Sequence, residues 1–288
     1  LLLPRRWACV PLLVGACYMT LGQGITLGPF RFMVIRMIVA TGFIRVIVRR
    51  EQLAGGMNTM DRLFVALGVW AILSSFGHGD PSAALIYRLG FTFNTLGVYF
   101  LIRIFCRSID DLHLLIKVVS ILLFPVAISM VVESTTGRNP FFLLGGVPEF
   151  SQVREGQIRA QGPFMHPILA GTVGAVCMPL IVALWRRNRR FAIVGLFSCV
   201  LMIVSCGSSG PIMSVGAGLF GVLMYRYRQH INRPFLKACI AYIVLDLVMK
   251  APAYYLIARL DVVGGSTGWH RAHLVEMGIA RLNEWWFM

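Results

Sequence analysis

The chain alternates between long apolar segments and shorter polar connections. Nine apolar segments are each near the roughly 20 residues with which an α-helix crosses about 30 Å of hydrocarbon. They predict membrane helices near residues 7–22, 28–48, 63–77, 86–106, 114–132, 167–185, 191–206, 211–225 and 235–257. The pattern therefore predicts an all-α fold, a polytopic membrane helix bundle of about nine spans that forms a single transmembrane domain over residues 1–288.

Basic residues fall on alternate connections between these segments. Of the 27 Lys and Arg, 17 precede the first span or lie in or beside the connections 2–3, 4–5, 6–7 and 8–9. Because cytoplasmic connections are enriched in Lys and Arg, we predict a cytoplasmic N-terminus. The other connections then face outward. They include a long loop at residues 133–166 and the incomplete start of a second large outer loop at residues 258–288.

The composition agrees with a lipid environment. Hydrophobic residues make up 57% of the chain and charged residues 14%, and the mean hydropathy is +0.74. One soluble core cannot hide that much apolar surface. The net charge is +15, and most of the Lys and Arg residues sit in short clusters between the apolar runs, so we expect membrane lipids as partners and no nucleic acid. The seven cysteines lie in or beside apolar runs, without metal-ligand spacing, and we predict no metal and no cofactor.

The longest polar interval runs from Arg154 to Gly171 and ends by entering a new apolar helix. Pro167 suits the first position of that helix, so a helix N-terminus with unpaired N–H groups is expected near the outer surface. Such an end favours an anion, most naturally a phosphate. An ordinary loop whose arginines meet lipid headgroups is the alternative. The candidate side chains are Arg154, Arg159, Gln161 and His166.

Two further outer segments carry polar groups suited to the same kind of ligand. Ser208 and Ser209 lie in a glycine-containing turn that can form a nest of N–H donors, or simply a tight helical hairpin. Beyond it, Trp269, His270 and Arg271 follow a glycine-rich stretch and are suited to stacking on a sugar and binding a phosphate. They are equally suited to an interfacial aromatic and basic belt.

Charged residues also occur inside predicted spans. Asp246 and Lys250 are four residues apart, so they share a helix face and are predicted to pair. Arg36 has no obvious partner in its own helix. Such residues are typical of an ion path in a transporter, or of structural pairs between helices. The glycine pattern of Gly216–Gly221 resembles a dinucleotide motif, but it lies within a predicted span, where close helix packing explains it better.

The order of three motifs resembles the O-antigen ligase and O-antigen polymerase superfamily. These motifs are R-A-Q-G-P-F-M-H-P-I-L-A-G, then S-S-G-P, then S-T-G-W-H-R. The resemblance implies a metal-independent glycosyltransferase of the bacterial inner membrane. Such an enzyme moves a glycan from a lipid-linked donor, an undecaprenyl diphosphate, to a hydroxyl of a glycan or lipid acceptor on the periplasmic face. By position, Arg159 and Arg271 match the family arginines, which implies that they hold the diphosphate.

The sequence departs from the family pattern at two places. Gly210 stands where many relatives carry Ser-Arg, and the family's catalytic histidine lies later in the large loop than this sequence reaches. His270 and His273 are therefore candidate general bases by chemistry alone, and we expect the 288 residues on their own to be inactive. The alternative function is a transporter or flippase for an anionic or lipid-linked saccharide, organised around Asp246, Lys250 and Arg36.

Overall fold

The computed structural model describes residues 2–285 apart from 21, 29, 155, 226–227, 229–231, 250 and 260–267. The described chain is mostly helical, with four short strands. The helices are α1 Val10–Tyr18, α2 Val34–Val48, α3 Thr59–Leu73, α4 Pro81–Phe105, α5 Ile109–Thr136, α6 Pro167–Val182, α7 Arg189–Ser205, α8 Ser209–Tyr225, α9 Asn232–Val248, α10 Gly268–Ala280 and α11 Leu282–Trp285. The strands are β1 Gly24–Leu27, β2 Phe30–Met33, β3 Gln152–Arg154 and β4 Gln157–Arg159.

Each predicted span overlaps one of the helices α1 to α9, so the helical character of these segments is confirmed. Three helical stretches are long and apolar enough to cross a membrane: Thr59–Gly77, Pro81–Phe105 and Ile109–Thr136. Shorter apolar helices occur at Pro167–Val182, Ser209–Tyr225 and Cys239–Val248. At nine residues, α1 is only about 14 Å long. The described residues thus contain helices of a membrane protein, and the count of nine crossings stays a prediction.

Two predicted spans differ from the helices that form. The segment predicted to begin at residue 28 opens with a β-hairpin, in which Gly24 pairs with Met33 in antiparallel register. Gly28 turns the chain with a φ of +59°, a conformation that glycine adopts at little cost. The segment predicted to end at residue 257 leaves the α-helix at Val248, because Pro252 has no N–H and disfavours the α conformation before it.

The helices pack in two groups. In the first, α4 contacts α2 and α3, and α1 contacts α2; in the second, α7 packs against α5 and α6, and α6 contacts α8. A contact between α1 and α5 joins them. The first core centres on Val39, Leu101 and Phe105, and the second on Leu123 and Met202.

Close approach of helices in the second group depends on glycine. A Cβ atom on Gly171 would overlap Cys206 and lie 2.6 Å from Pro211 Cγ, and one on Gly195 would lie 2.6 Å from Ser120 Oγ. By contrast, a Cβ atom on any of the three glycines within Gly216–Gly221 would meet no described atom within 4 Å. The interpretation of that pattern as close helix packing is therefore wrong within the described chain.

At one end of the bundle, ion pairs join connections that are distant in sequence, and a further pair links Arg45 of α2 to Glu51 in the connection after it. The N-terminal segment and the predicted cytoplasmic connections contribute Arg5–Asp111 at 3.3 Å, Arg45–Glu51 at 3.0 Å, Arg103–Asp61 at 3.0 Å and Arg187–Asp110 at 2.6 Å. At the other end, Thr20 Oγ1 donates to Leu144 O at 3.4 Å. These contacts bring the N-terminal segment together with connections 2–3, 4–5 and 6–7, and connection 1–2 together with connection 5–6; alternation along the whole chain stays a prediction. Which end is cytoplasmic remains a prediction.

Candidate anion site

The long loop after α5 is ordered by short antiparallel pairings. Gly137 caps α5 in the left-handed conformation, and its carbonyl accepts a hydrogen bond from Ser151 N at 3.0 Å. The hairpin of β3 and β4 follows, with Gln152 opposite Arg159. Arg159 is the last residue of β4, and from there the chain turns towards α6.

Arg159 lies against the C-terminal end of α7. Its side chain is buried, with the residue 7% exposed, and its Nε donates to Cys206 O at 3.4 Å. The next residue, Ala160, donates its N–H to Ser205 O at 3.0 Å. Both bonds satisfy carbonyls that α7 leaves without helical partners. Burial, and after it the charge of Arg154, lowers the pKa of Arg159.

His166 forms the N-terminal cap of α6. Its Nδ1 accepts a hydrogen bond from Ile168 N at 3.2 Å, and Pro167 occupies the first helical turn. Burial, and after it the positive charge of Arg159, lowers the pKa of His166 below its ordinary value of 6.5. A neutral ring that accepts at Nδ1 carries its proton on Nε2, so His166 presents a donor rather than a base.

The turn between α7 and α8 lies beside Arg159. Gly207 has a φ of +53°, and a Cβ atom on it would lie 3.3 Å from Arg159 Cγ. Ser208 and Ser209 are buried, and α8 begins at Ser209. Arg159 therefore lies next to the N-terminus of α8, which is the positive end of that helix dipole.

Arg271 reaches the same turn from α10. Its Nη1 approaches Met213 Sδ at 3.9 Å. A Cβ atom on Gly210 would lie 3.5 Å from Arg271 Nη2, 3.8 Å from Ile168 Cγ2 and 3.9 Å from Ser208 Oγ. Because Gly210 has no side chain, the first turn of α6, the turn that carries Ser208 and the side chain of Arg271 from α10 come close together here.

These contacts define a candidate anion site, made of Arg159, His166, Ser208, Ser209 and Arg271. It combines two guanidinium groups with the N-termini of α6 and α8. In the described part of the chain, neither arginine forms an ion pair with a carboxylate. Two cations and two helix N-termini without an acidic partner suit a phosphate or a diphosphate.

The other predicted binding residues form no described hydrogen bond with the side chains of this site. Arg154 pairs with Gln157 in the hairpin. Gln161 is 1% exposed and donates Nε2 to Phe164 O at 3.0 Å, within its own turn. On α10, Trp269 and His270 are exposed and contact each other edge to face, with ring centroids 5.6 Å apart.

The predicted intramembrane pair is described only in part. Asp246 Oδ1 accepts a hydrogen bond from Ala253 N at 2.6 Å, which caps the 3₁₀ segment Ala253–Arg259. Lys250 lies outside the described residues, so the pairing with Asp246 stays a prediction. The guanidinium of Arg36 lies where a side chain on Gly90 of α4 would be.

A buried carboxylate and a surface cluster were not predicted from the sequence. Glu133 is buried at the end of α5 and binds the loop that carries Arg159. Its signal was an isolated acid in the last turn of an apolar helix, where the helix dipole disfavours it. On the surface, Tyr255 Oη donates to Glu276 Oε2 at 2.6 Å, and His273 Nδ1 lies 3.4 Å from the same oxygen.

Comparison of the chain with protein-family models, with curated proteins and with solved structures gives no match. Its class therefore follows from the fold: a mostly helical chain with three stretches of membrane-crossing length and composition.

Proposed function

We propose that the complete protein transfers a glycan from an undecaprenyl-diphosphate carrier to an acceptor hydroxyl on the periplasmic face of the bacterial inner membrane. The observation that supports this most is the convergence of three motifs that are far apart in sequence. Arg159, the Ser208 turn and Arg271 meet around the N-termini of α6 and α8. The same three motifs carry the resemblance to O-antigen ligases and polymerases.

The proposed chemistry follows from the charges of the site. The acceptor oxygen attacks the anomeric carbon of the glycan, and the bond from that carbon to the diphosphate breaks. The leaving group gains negative charge as the bond breaks. Arg159, Arg271 and the two helix ends stabilise that charge, and His166 adds a donor from Nε2.

The proton of the acceptor hydroxyl needs a separate base, because His166 has its Nδ1 engaged with Ile168 N. Among the described histidines, His270 and His273 are three apart on one exposed face of α10. Of these two, His273 contacts a carboxylate, that of Glu276. His270 and His273 are candidate bases by their chemistry alone, and the resemblance implies that the family's catalytic histidine lies later in the large loop.

The test compares arginines of the site with an arginine of the same loop outside it. We expect Arg159→Ala and Arg271→Ala, each in the complete protein, to stop glycan transfer and make the lipid-linked glycan accumulate. Arg138→Ala is the matched control, because its guanidinium lies 5.6 Å over the ring of Phe150 instead. Unchanged surface polysaccharide in both site variants would refute the proposal.

A further inference from the structure

Glu133 is a carboxylate in a position where helix physics disfavours one. It lies in the last turn of α5, and that turn contains no basic side chain. The negative end of the helix dipole opposes an anion there, and the residue is 0% exposed. A buried carboxylate under these conditions needs compensating donors.

The donors come from two separate parts of the outer loop. Glu133 Oε2 accepts from Gly162 N at 2.7 Å, and Oε1 accepts from Ser151 Oγ at 3.0 Å. Asn139 Nδ2 donates to Gly162 O at 2.8 Å. The N–H and the C=O of Gly162 are therefore both fixed, at a residue whose φ is +57°.

Gly162 lies midway between Arg159 and His166, so its position sets how the end of β4 relates to the start of α6. At the other end of this segment, Ala160 N is bound to Ser205 O. The segment is thus fixed to α7 on one side and to α5 on the other. A carboxylate is suited to the α5 side because it accepts from two donors at once and donates none.

We propose that Glu133 is a positioning residue of the anion site. By holding Gly162, it keeps the Arg159 guanidinium directed at a phosphate group bound beside the N-terminus of α6. This inference rests on the proposed function, since it assumes that the site binds the diphosphate of the lipid carrier. Glu133 itself does not contact the ligand; it acts through Arg159.

The experiment measures binding of undecaprenyl diphosphate to the complete protein in lipid nanodiscs. Four proteins form a double-mutant cycle: the unaltered protein, Glu133→Gln, Arg159→Ala and the double variant. Glu149→Gln is the matched control, a glutamate of the same loop with no described side-chain hydrogen bond. The amount of folded protein is taken from the saturation level of binding, and the dissociation constant is determined for that folded fraction. A loss of stability alone then leaves the measured affinity unchanged.

We expect Glu133→Gln to weaken binding by about tenfold or more, and Glu149→Gln to leave it unchanged. The double variant should bind no more weakly than Arg159→Ala alone, because Glu133 acts through that arginine. Hydrogen exchange at the Gly162 amide should become faster in Glu133→Leu, which removes both acceptors.

The two possible failures are distinct. If the unaltered protein binds no undecaprenyl diphosphate, the proposed function fails, and this inference fails with it. If the unaltered protein binds and Arg159→Ala does not, but Glu133→Gln binds normally, only the role of Glu133 is refuted. The role of Glu133 would also be refuted if the two fold-losses of affinity multiplied in the double variant. That result would show that Glu133 and Arg159 act independently.

Discussion

The packing of α6 against the turn that follows α7 gives a sharp prediction at Gly171. A Cβ atom there would overlap Cys206 Sγ and lie 2.6 Å from Pro211 Cγ. Both neighbours are confined, since Cys206 is buried at the end of α7 and Pro211 has a rigid ring near the start of α8. Gly171→Ala must therefore push α6 away from the turn that carries Ser208 and Ser209.

Two opposing contributions determine how much Gly171→Ala changes the free energy of unfolding. Overpacking a close contact costs about 1–3 kcal/mol, whereas Gly to Ala inside a helix stabilises by roughly 0.5–1 kcal/mol. Gly216 of α8 is the control, because a Cβ atom there meets no described atom within 4 Å. Gly216→Ala should show only the favourable term. The two variants should thus differ by about 1–3 kcal/mol, which is the overpacking term alone.

Thermal unfolding in detergent, followed by circular dichroism, measures this difference. At about 2–4 °C per kcal/mol for a chain of this size class, the melting temperature of Gly171→Ala should fall several degrees below that of Gly216→Ala. Binding of undecaprenyl diphosphate should weaken in Gly171→Ala alone. Equal melting temperatures for the two alanine variants would refute the packing argument.

Three other predictions test the charges. His166 should titrate below 6.5, and Arg159→Ala should raise that midpoint in an NMR titration. Its contribution to stability is present above pH 6.5 and is lost as the pH falls below that value, because the unfolded state takes up the proton first. Arg103→Ala should reduce the yield of folded protein more than Arg187→Ala, since the carboxylate partner is 0% exposed in the first pair and 68% exposed in the second. Asp246→Asn should leave surface polysaccharide unchanged, because in the described structure its carboxylate binds only a backbone amide; loss of saccharide flipping would instead favour the transporter.

The hydrophobic pattern predicted where the helices lie, but not where they begin and end. Phe30–Met33 reads as part of an apolar run, yet it forms a strand. Hydrophobicity alone does not separate a short strand from a helix. The late start of α2 follows from Gly28, whose positive φ reverses the chain. The early end of α9 follows from Pro252, which ends the apolar helix before it. Both are local backbone effects that a count of apolar residues does not contain.

The candidate site was predictable as a set of residue types but not as an arrangement. The sequence marks Arg159, Ser208 and Arg271 by their place in outer connections. Ser208 and Arg271 approach each other at Gly210, and Arg159 lies beside Gly207. This arrangement is a consequence of packing between helices rather than of spacing along one. Glu133 was hidden for the same reason, because its importance lies in the two loop segments that donate to it.

The arginines at the two ends of the bundle have different partners, and this contrast supports the placement of the site. At the basic end, four arginines are each paired with a carboxylate, an arrangement that neutralises charge and joins connections. At the opposite end, Arg159 and Arg271 have a backbone carbonyl and a thioether as their described partners. There the buried carboxylate of Glu133 accepts hydrogen bonds from the loop instead of pairing with an arginine. Desolvating a cation without a counter-ion is costly, and among the described residues no carboxylate pairs with Arg159 or Arg271, so we propose that a bound anion completes this end.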